Sequence, residues 1–127
     1  MPSLSKHDPL AIMPATAENI TKVADVMQSM LITSKGSLRY TAEDERRMNA
    51  ILRTLTPGDS TSTTAWKMAD NSFVTLTFEE LRDLMTEADS LAGPRIVSVF
   101  SRAQMLKGKL EAGERVTMRD IASEAWS

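Results

Sequence analysis

The side chains able to carry chemistry are few and scattered. His7 is the only histidine, and no serine or carboxylate stands at a spacing that would make it part of a triad, so it reads as a surface residue. The chain has no cysteine, which excludes thiolate nucleophiles, cysteine–zinc sites and disulfides and fits assembly in a reducing cytoplasm. Glu79, Glu80, Asp83 and Glu87 recur at helical spacing. Such a row could attract a cation, but it lacks the glycine-turned loop of an EF-hand and reads as a solvated helix face. The five glycines, at positions 36, 58, 93, 108 and 113, form no phosphate-cradling loop. Lys107 and Lys109 flank Gly108, too few for a nucleic-acid backbone track. The expectation is a protein that is not an enzyme, with no catalytic residues, no cofactor and no metal.

The elements that would position side chains are easier to read, and the densest stretch is Trp66 to Leu81. Asp70-Asn71 lies between two short runs of strand formers, and both residue types tolerate the positive φ of a two-residue primed turn. With Asp70 and Asn71 as the loop, Met68 pairs with Phe73 and Trp66 with Thr75. Thr77-Phe78-Glu79-Glu80 follows as a capping box, in which the Thr77 hydroxyl accepts from the Glu80 N–H and the Glu80 carboxylate accepts from the Thr77 N–H. The stretch therefore predicts a tight hairpin feeding straight into a helix. Trp66, Asp70, Asn71, Phe73, Thr77 and Glu80 are its structural residues.

Before this unit, residues 1–15 have no period. Pro2, Pro9 and Pro14 alternate with the apolar Leu4, Leu10, Ile12 and Met13, as in an extended arm. The arm is held either by its own domain or by a neighbour. Residues 16–57 predict a helical hairpin. The first helix opens at Thr16 and carries Ile20, Val23, Ala24, Met27, Met30 and Leu31 on one face, stopping at Gly36. The second opens at Thr41, with Glu43, Asp44 and Glu45 at the positive end of its dipole and Met48, Ile51, Leu52 and Leu55 as its stripe. Arg46, Arg47 and Arg53 lie off that stripe, and Glu43 with Arg47 makes an i,i+4 pair on a solvated face. Residues 58–63 read as a linker. In residues 64–127 the hairpin leads into a helix from Thr77 to about Ala92, which Gly93-Pro94 ends or sharply kinks. The next helix, from Pro94 to Ala112, is apolar over more than one face through Ile96, Val97, Val99 and Phe100, as if contacted from two sides. Thr117 caps a short closing helix ending in Trp126, which either docks on its own domain or anchors to another subunit.

Composition is that of an ordinary soluble globular domain: 127 residues, 42% hydrophobic, 25% charged and a formal net charge of −2. The charge argues against nucleic acid as partner. No long apolar run suggests a membrane span, and no basic-then-apolar leader is visible. Nine methionines suit irregular core gaps or adaptable contact surfaces. The expected fold class is mainly α with one small β-hairpin.

The series Trp66-x-x-Ala69-Asp70-Asn71-Ser72-x-Val74-x-Leu76-Thr77-x-x-Glu80-Leu81, followed by Leu106-Lys107-x-x-Leu110-Glu111-Ala112, resembles a small uncharacterised domain at the C-terminus of tail-fibre-associated and tail-assembly proteins of tailed bacteriophages and prophages. The resemblance spans about residues 64–127 and brings no catalytic residues with it. It implies a non-enzymatic structural protein of the tail, baseplate or tail fibre. Such a protein would be located in the virion after assembly in the host cytoplasm, multi-copy or homo-oligomeric, and in contact with other phage tail proteins. Partner contacts are then expected from Leu4, Leu10, Ile12, Met13 and Trp126 and from apolar helix faces. Two alternatives stand beside it. One is a phage-encoded inhibitor of a host defence protein that uses the acidic patch at residues 79–89. The other is a tail-fibre assembly chaperone absent from the mature particle.

Overall fold

The computed structural model describes residues 8–126. It is mostly helical with two small antiparallel hairpins, the expected class with one hairpin more. The elements in order are α1 (Pro9–Ile12), α2 (Ala17–Met27), β1 (Met30–Thr33), β2 (Gly36–Arg39), α3 (Ala42–Leu52), β3 (Thr63–Lys67), β4 (Phe73–Thr77) and α4 (Phe78–Glu111). Two 3₁₀ turns, Met118–Ile121 and Ser123–Trp126, close the chain. They stand where a short closing helix was expected.

The described residues divide into two compact units, one of residues 29–96 and one of residues 8–28 with 97–126. The sequence reading had instead placed its boundary at residues 58–63. The expected helical hairpin is corrected: residues 16–57 form helix, β-hairpin and helix, with α2 in the second unit and the hairpin and α3 in the first. The helical stripe ends at Met27, and Met30–Thr33 pairs antiparallel with Gly36–Arg39 in the register Met30↔Arg39, Leu31↔Leu38, Ile32↔Ser37 and Thr33↔Gly36. Leu31 and Leu38 face each other and are both buried, whereas Ile32 points out. The β-branched Ile32 and Thr33 favour strand over helix. Gly36, at φ +117, supplies a backbone conformation that side chains rarely adopt, so it closes a β-turn rather than a helix.

The second hairpin forms where predicted, with a register one residue off. Trp66 pairs with Val74, Lys67 with Phe73 and Ala65 with Thr75. The loop has three residues, not two. Asn71 N–H donates to the Met68 carbonyl (3.0 Å), Met68 N–H donates to the Ser72 carbonyl (2.7 Å), and only Asn71 takes positive φ, at 71°. This is a type I turn followed by a left-handed residue, the usual three-residue hairpin loop. Asp70 stays in the turn and accepts from Ser72 N–H (2.9 Å) and its hydroxyl (2.6 Å). The shift puts Trp66, Val74 and Leu76 on the inner face, packed with Leu38, Met48, Met68, Leu81, Leu84 and Met85. Phe73 is left 66% exposed.

Four threonines start helical segments, and each meets its partner three residues on. Thr16 with Asn19, Thr41 with Asp44 and Thr77 with Glu80 exchange reciprocal hydrogen bonds. Asp120 accepts from the Thr117 N–H. The Thr77–Glu80 box is thus formed as read from the sequence. Its helix does not stop at Pro94, however. α4 runs unbroken from Phe78 to Glu111 with Pro94 inside it. Proline costs a helix interior about 3 kcal/mol. Leu81, Leu84, Met85 and Ala88 before it are buried in the core of one unit, and Val99, Ala103 and Leu106 after it in the core of the other. Each fully buried leucine-sized side chain contributes about 1.5–3 kcal/mol, which outweighs the proline.

In the second unit α2 and the C-terminal half of α4 enclose a core of Ala15, Ile20, Val99, Ala103, Leu106, Val116, Ile121 and Trp126. Residues 8–15 are not a free arm. Asp8 caps the single turn α1. Ala15 N–H donates to the Val116 carbonyl (2.9 Å), Met118 N–H donates to the Met13 carbonyl (2.8 Å), and Pro14 bridges Thr117.

Candidate functional site

The expected docking residues divide in three ways. Leu4 lies outside the described residues. Leu10 is half-buried, while Ile12 and Met13 are 69% and 46% exposed, on a segment pinned to its own unit. The Asp8 carboxylate ion-pairs with Arg119 at 2.6 Å, and an Arg115 Nη2–H donates to the Ala11 carbonyl. Trp126 is 2% exposed. Its indole N–H donates to the Ile121 carbonyl (2.9 Å) and Arg102 lies over its ring. Of the two readings of Trp126, docking on its own domain is the one the structure has. It packs in the core of the second unit, whereas Trp66 packs in that of the first.

The acidic row on α4 is not a plain solvated face. Glu79 accepts from the Gly58 N–H (3.0 Å), Glu80 caps its helix and meets Lys35 (3.5 Å), and Glu87 accepts from the N–H and hydroxyl of Ser34 (2.8 and 2.7 Å). Three of the four carboxylates therefore hold loops onto the helix. The backbone N–H of Thr77, together with Lys35, holds the Glu80 carboxyl below its usual range against its slight desolvation. These turn-to-helix contacts escape sequence reading because the pairs are separated by 21 to 53 residues.

Two surfaces stand out among the described residues. The first is on α4. Val97 and Phe100 are 66% and 62% exposed, and their i, i+3 spacing puts them on one helical face. At 100° per residue that face lies roughly a third of a turn from the buried line through Val99, Ala103 and Leu106. The sequence signal was the doubling of the apolar stripe after Pro94.

The second surface is a cleft in the first unit, about 470 Å³ in volume, which sequence reading missed. Three elements converge on it. The open end of β1–β2 brings Met30 and Arg39, α3 brings Asp44 and Arg47, and β3 with its loop brings Trp66, Lys67, Met68, Ala69 and Asn71. Asp44 is its fixed point. Its side chain is 3% exposed, and both its oxygens accept from the Arg39 fork at 2.9 Å. It also accepts from the N–H (3.0 Å) and hydroxyl (2.8 Å) of Thr41. Burial pushes the Asp44 carboxyl up, but the Arg39 guanidinium and the Thr41 donors more than offset this and leave it below the usual carboxylate range. The same hydrogen bond holds the Arg39 guanidinium above its ordinary value. Arg47 pairs with Glu43, as expected from their spacing. Lys67 is exposed and makes no ion pair among the described residues. The cleft thus has cations around an apolar floor and one cation in excess. Its local signal is thin, because Arg39, Arg47 and Lys67 come from three separate elements.

Among the described residues no group of three His, Asp or Glu side chains is arranged to hold a metal ion, and no helix is long and apolar enough to cross a membrane. A family model described as a domain of unknown function, DUF4376, matches residues 14–125. No curated protein and no solved structure matches the chain. The matched span takes in all of the unit 29–96 and part of the other, wider than the segment 64–127 that carries the phage resemblance. On that match the chain belongs to the DUF4376 family.

Proposed function

We propose that this chain is a non-enzymatic structural or assembly protein of a tailed phage particle, present in the virion and acting by contact with other tail proteins. The phage setting rests on the motif from Trp66 to Leu81. The mode of action rests on one observation, the exposed apolar face of α4 at Val97 and Phe100. Large apolar side chains adjacent at i, i+3 on a helix, rather than scattered singly, are what helix-docking partners read. Residues 8–15 contribute less than a free arm would, since the chain's own C-terminal segment already holds them.

The test is a phage carrying Val97→Glu together with Phe100→Ser, compared with wild type by mass spectrometry of purified particles and of lysate. Both positions are exposed, so circular dichroism and the unfolding midpoint should stay unchanged. The expected result is normal abundance in lysate and loss from particles. Wild-type protein in lysate but absent from particles would identify the assembly chaperone instead. Undiminished incorporation of the variant would rule out the α4 face as the contact.

A further inference from the structure

We infer that the cleft between the two hairpins and α3 is a binding site for a short acidic segment of a partner protein, one that carries a carboxylate beside a bulky apolar side chain. This goes beyond the phage reading and does not depend on the α4 face.

The floor of the cleft is apolar and adaptable. Met68 is buried, Met30 and Trp66 are half-buried, and two thioethers beside an indole suit an incoming aliphatic or aromatic group. The rim is cationic, and the count of pairs fixes what charge it can take. Asp44 already occupies Arg39, through Nε and Nη2, and Glu43 already occupies Arg47. Lys67 is unpaired among the described residues, and the Asp44 fork uses Nε and Nη2 of Arg39 but not Nη1. The excess is one positive charge, with further donors at hand, which matches a carboxylate better than a phosphate dianion. The main chain points the same way. The N–H groups of Met68, Ala69 and Asn71 are spent on Ser72, Ser37 and Met68 carbonyls, so the loop offers no cradle of free amides to a phosphate. Arg39 is also held rigid by a buried carboxylate, so little side-chain freedom is lost when a ligand meets it.

The probe is a fluorescein-labelled decapeptide alternating glutamate with leucine and phenylalanine, titrated with the full chain by fluorescence anisotropy. The control peptide has glutamine for every glutamate, and inorganic phosphate serves as competitor. The acidic peptide should bind saturably and weaken as salt is raised, with the glutamine peptide at least about tenfold weaker. Lys67→Glu changes an exposed residue with no ion pair among the described residues, so it should preserve the fold while weakening the acidic peptide by about tenfold or more. A second variant, Met30→Gln, makes the apolar floor polar without adding charge and should weaken both peptides. No saturable binding by the acidic peptide, equal binding of the two peptides, indifference to Lys67→Glu, or displacement by phosphate at equimolar concentration would each overturn the proposal.

Discussion

Asp44 shows how much one side chain can do in this protein. It accepts from the Thr41 N–H to close the capping box of α3, braces Arg39 and walls the cleft, all from a nearly inaccessible position. Asp44→Asn keeps the shape and a cap acceptor but loses the charge that the Arg39 fork binds. Charge-assisted hydrogen bonds of this kind are worth about 1.5–3 kcal/mol, and a loss in that range should appear in chemical denaturation at neutral pH. The pH dependence has a definite sign. A carboxyl whose folded value lies below its unfolded value stabilises the fold above the unfolded value, and that stability drains away as pH falls through the folded one. Wild type should therefore lose stability below about pH 4 more steeply than Asp44→Asn. Equal acid slopes would count against the Arg39–Asp44 bond. Trp126 is the other residue with a large predicted effect. Trp126→Ala should cost about 3–5 kcal/mol by cavity formation, and Trp126→Phe nearer 1 kcal/mol for the lost bond to the Ile121 carbonyl. Negligible loss in Trp126→Ala would mean that the indole is not core.

At the scale of elements, α4 carries its liabilities in the open. Gly93 and Pro94 are exposed, and nothing lies within 4 Å of a Cβ built on Gly93. Gly93→Ala should stabilise by about 0.5–1 kcal/mol, read as a raised denaturation midpoint. Pro94→Ala restores an N–H to the Ser90 carbonyl and should slow amide exchange across the surrounding turn. No change in exchange would mean that the turn is already closed by other donors. Pro94 also shows where legibility ended. Its local rule is sound, and a helix should break there, but burial on both sides of the proline decides the outcome and is a tertiary quantity. The caps were legible because each is settled within four residues, as with Thr41 and Asp44. The hairpin was legible as an element while its register was not, since two- and three-residue loops differ only in whether Asp70 or Ala69 begins the turn. β1–β2 was hidden because Met30 and Leu31 extend the helical period of α2 by coincidence, while the β-branched pair Ile32-Thr33 and Gly36 carried the contrary signal. The cleft was illegible for a different reason. Its cations lie on three elements, and their convergence depends on the very register and hairpin that local reading missed.

For the whole molecule, the division into units has a consequence that chain order conceals. Residues 29–96 form a continuous segment with its own core of ten buried residues, from Leu31 to Ala88. The other unit is built from both ends of the chain, and its core joins Ala15 and Ile20 to Val99, Val116 and Trp126. A fragment of residues 29–96 contains every buried member of its cluster and both hairpins, so it should fold by itself. Its amide spectrum should be dispersed and its melting cooperative, although at 68 residues its stability is small. A fragment ending at residue 96, by contrast, leaves residues 8–28 without the partners that bury Ile20, and their amides should exchange as in an unfolded chain. The cleft lies wholly within residues 29–96. The same fragment therefore separates the two surfaces. It should retain acidic-peptide binding while lacking Val97 and Phe100, and so should fail to compete with the full chain for the α4 contact. An unfolded 29–96 fragment would show that its core depends on the chain ends.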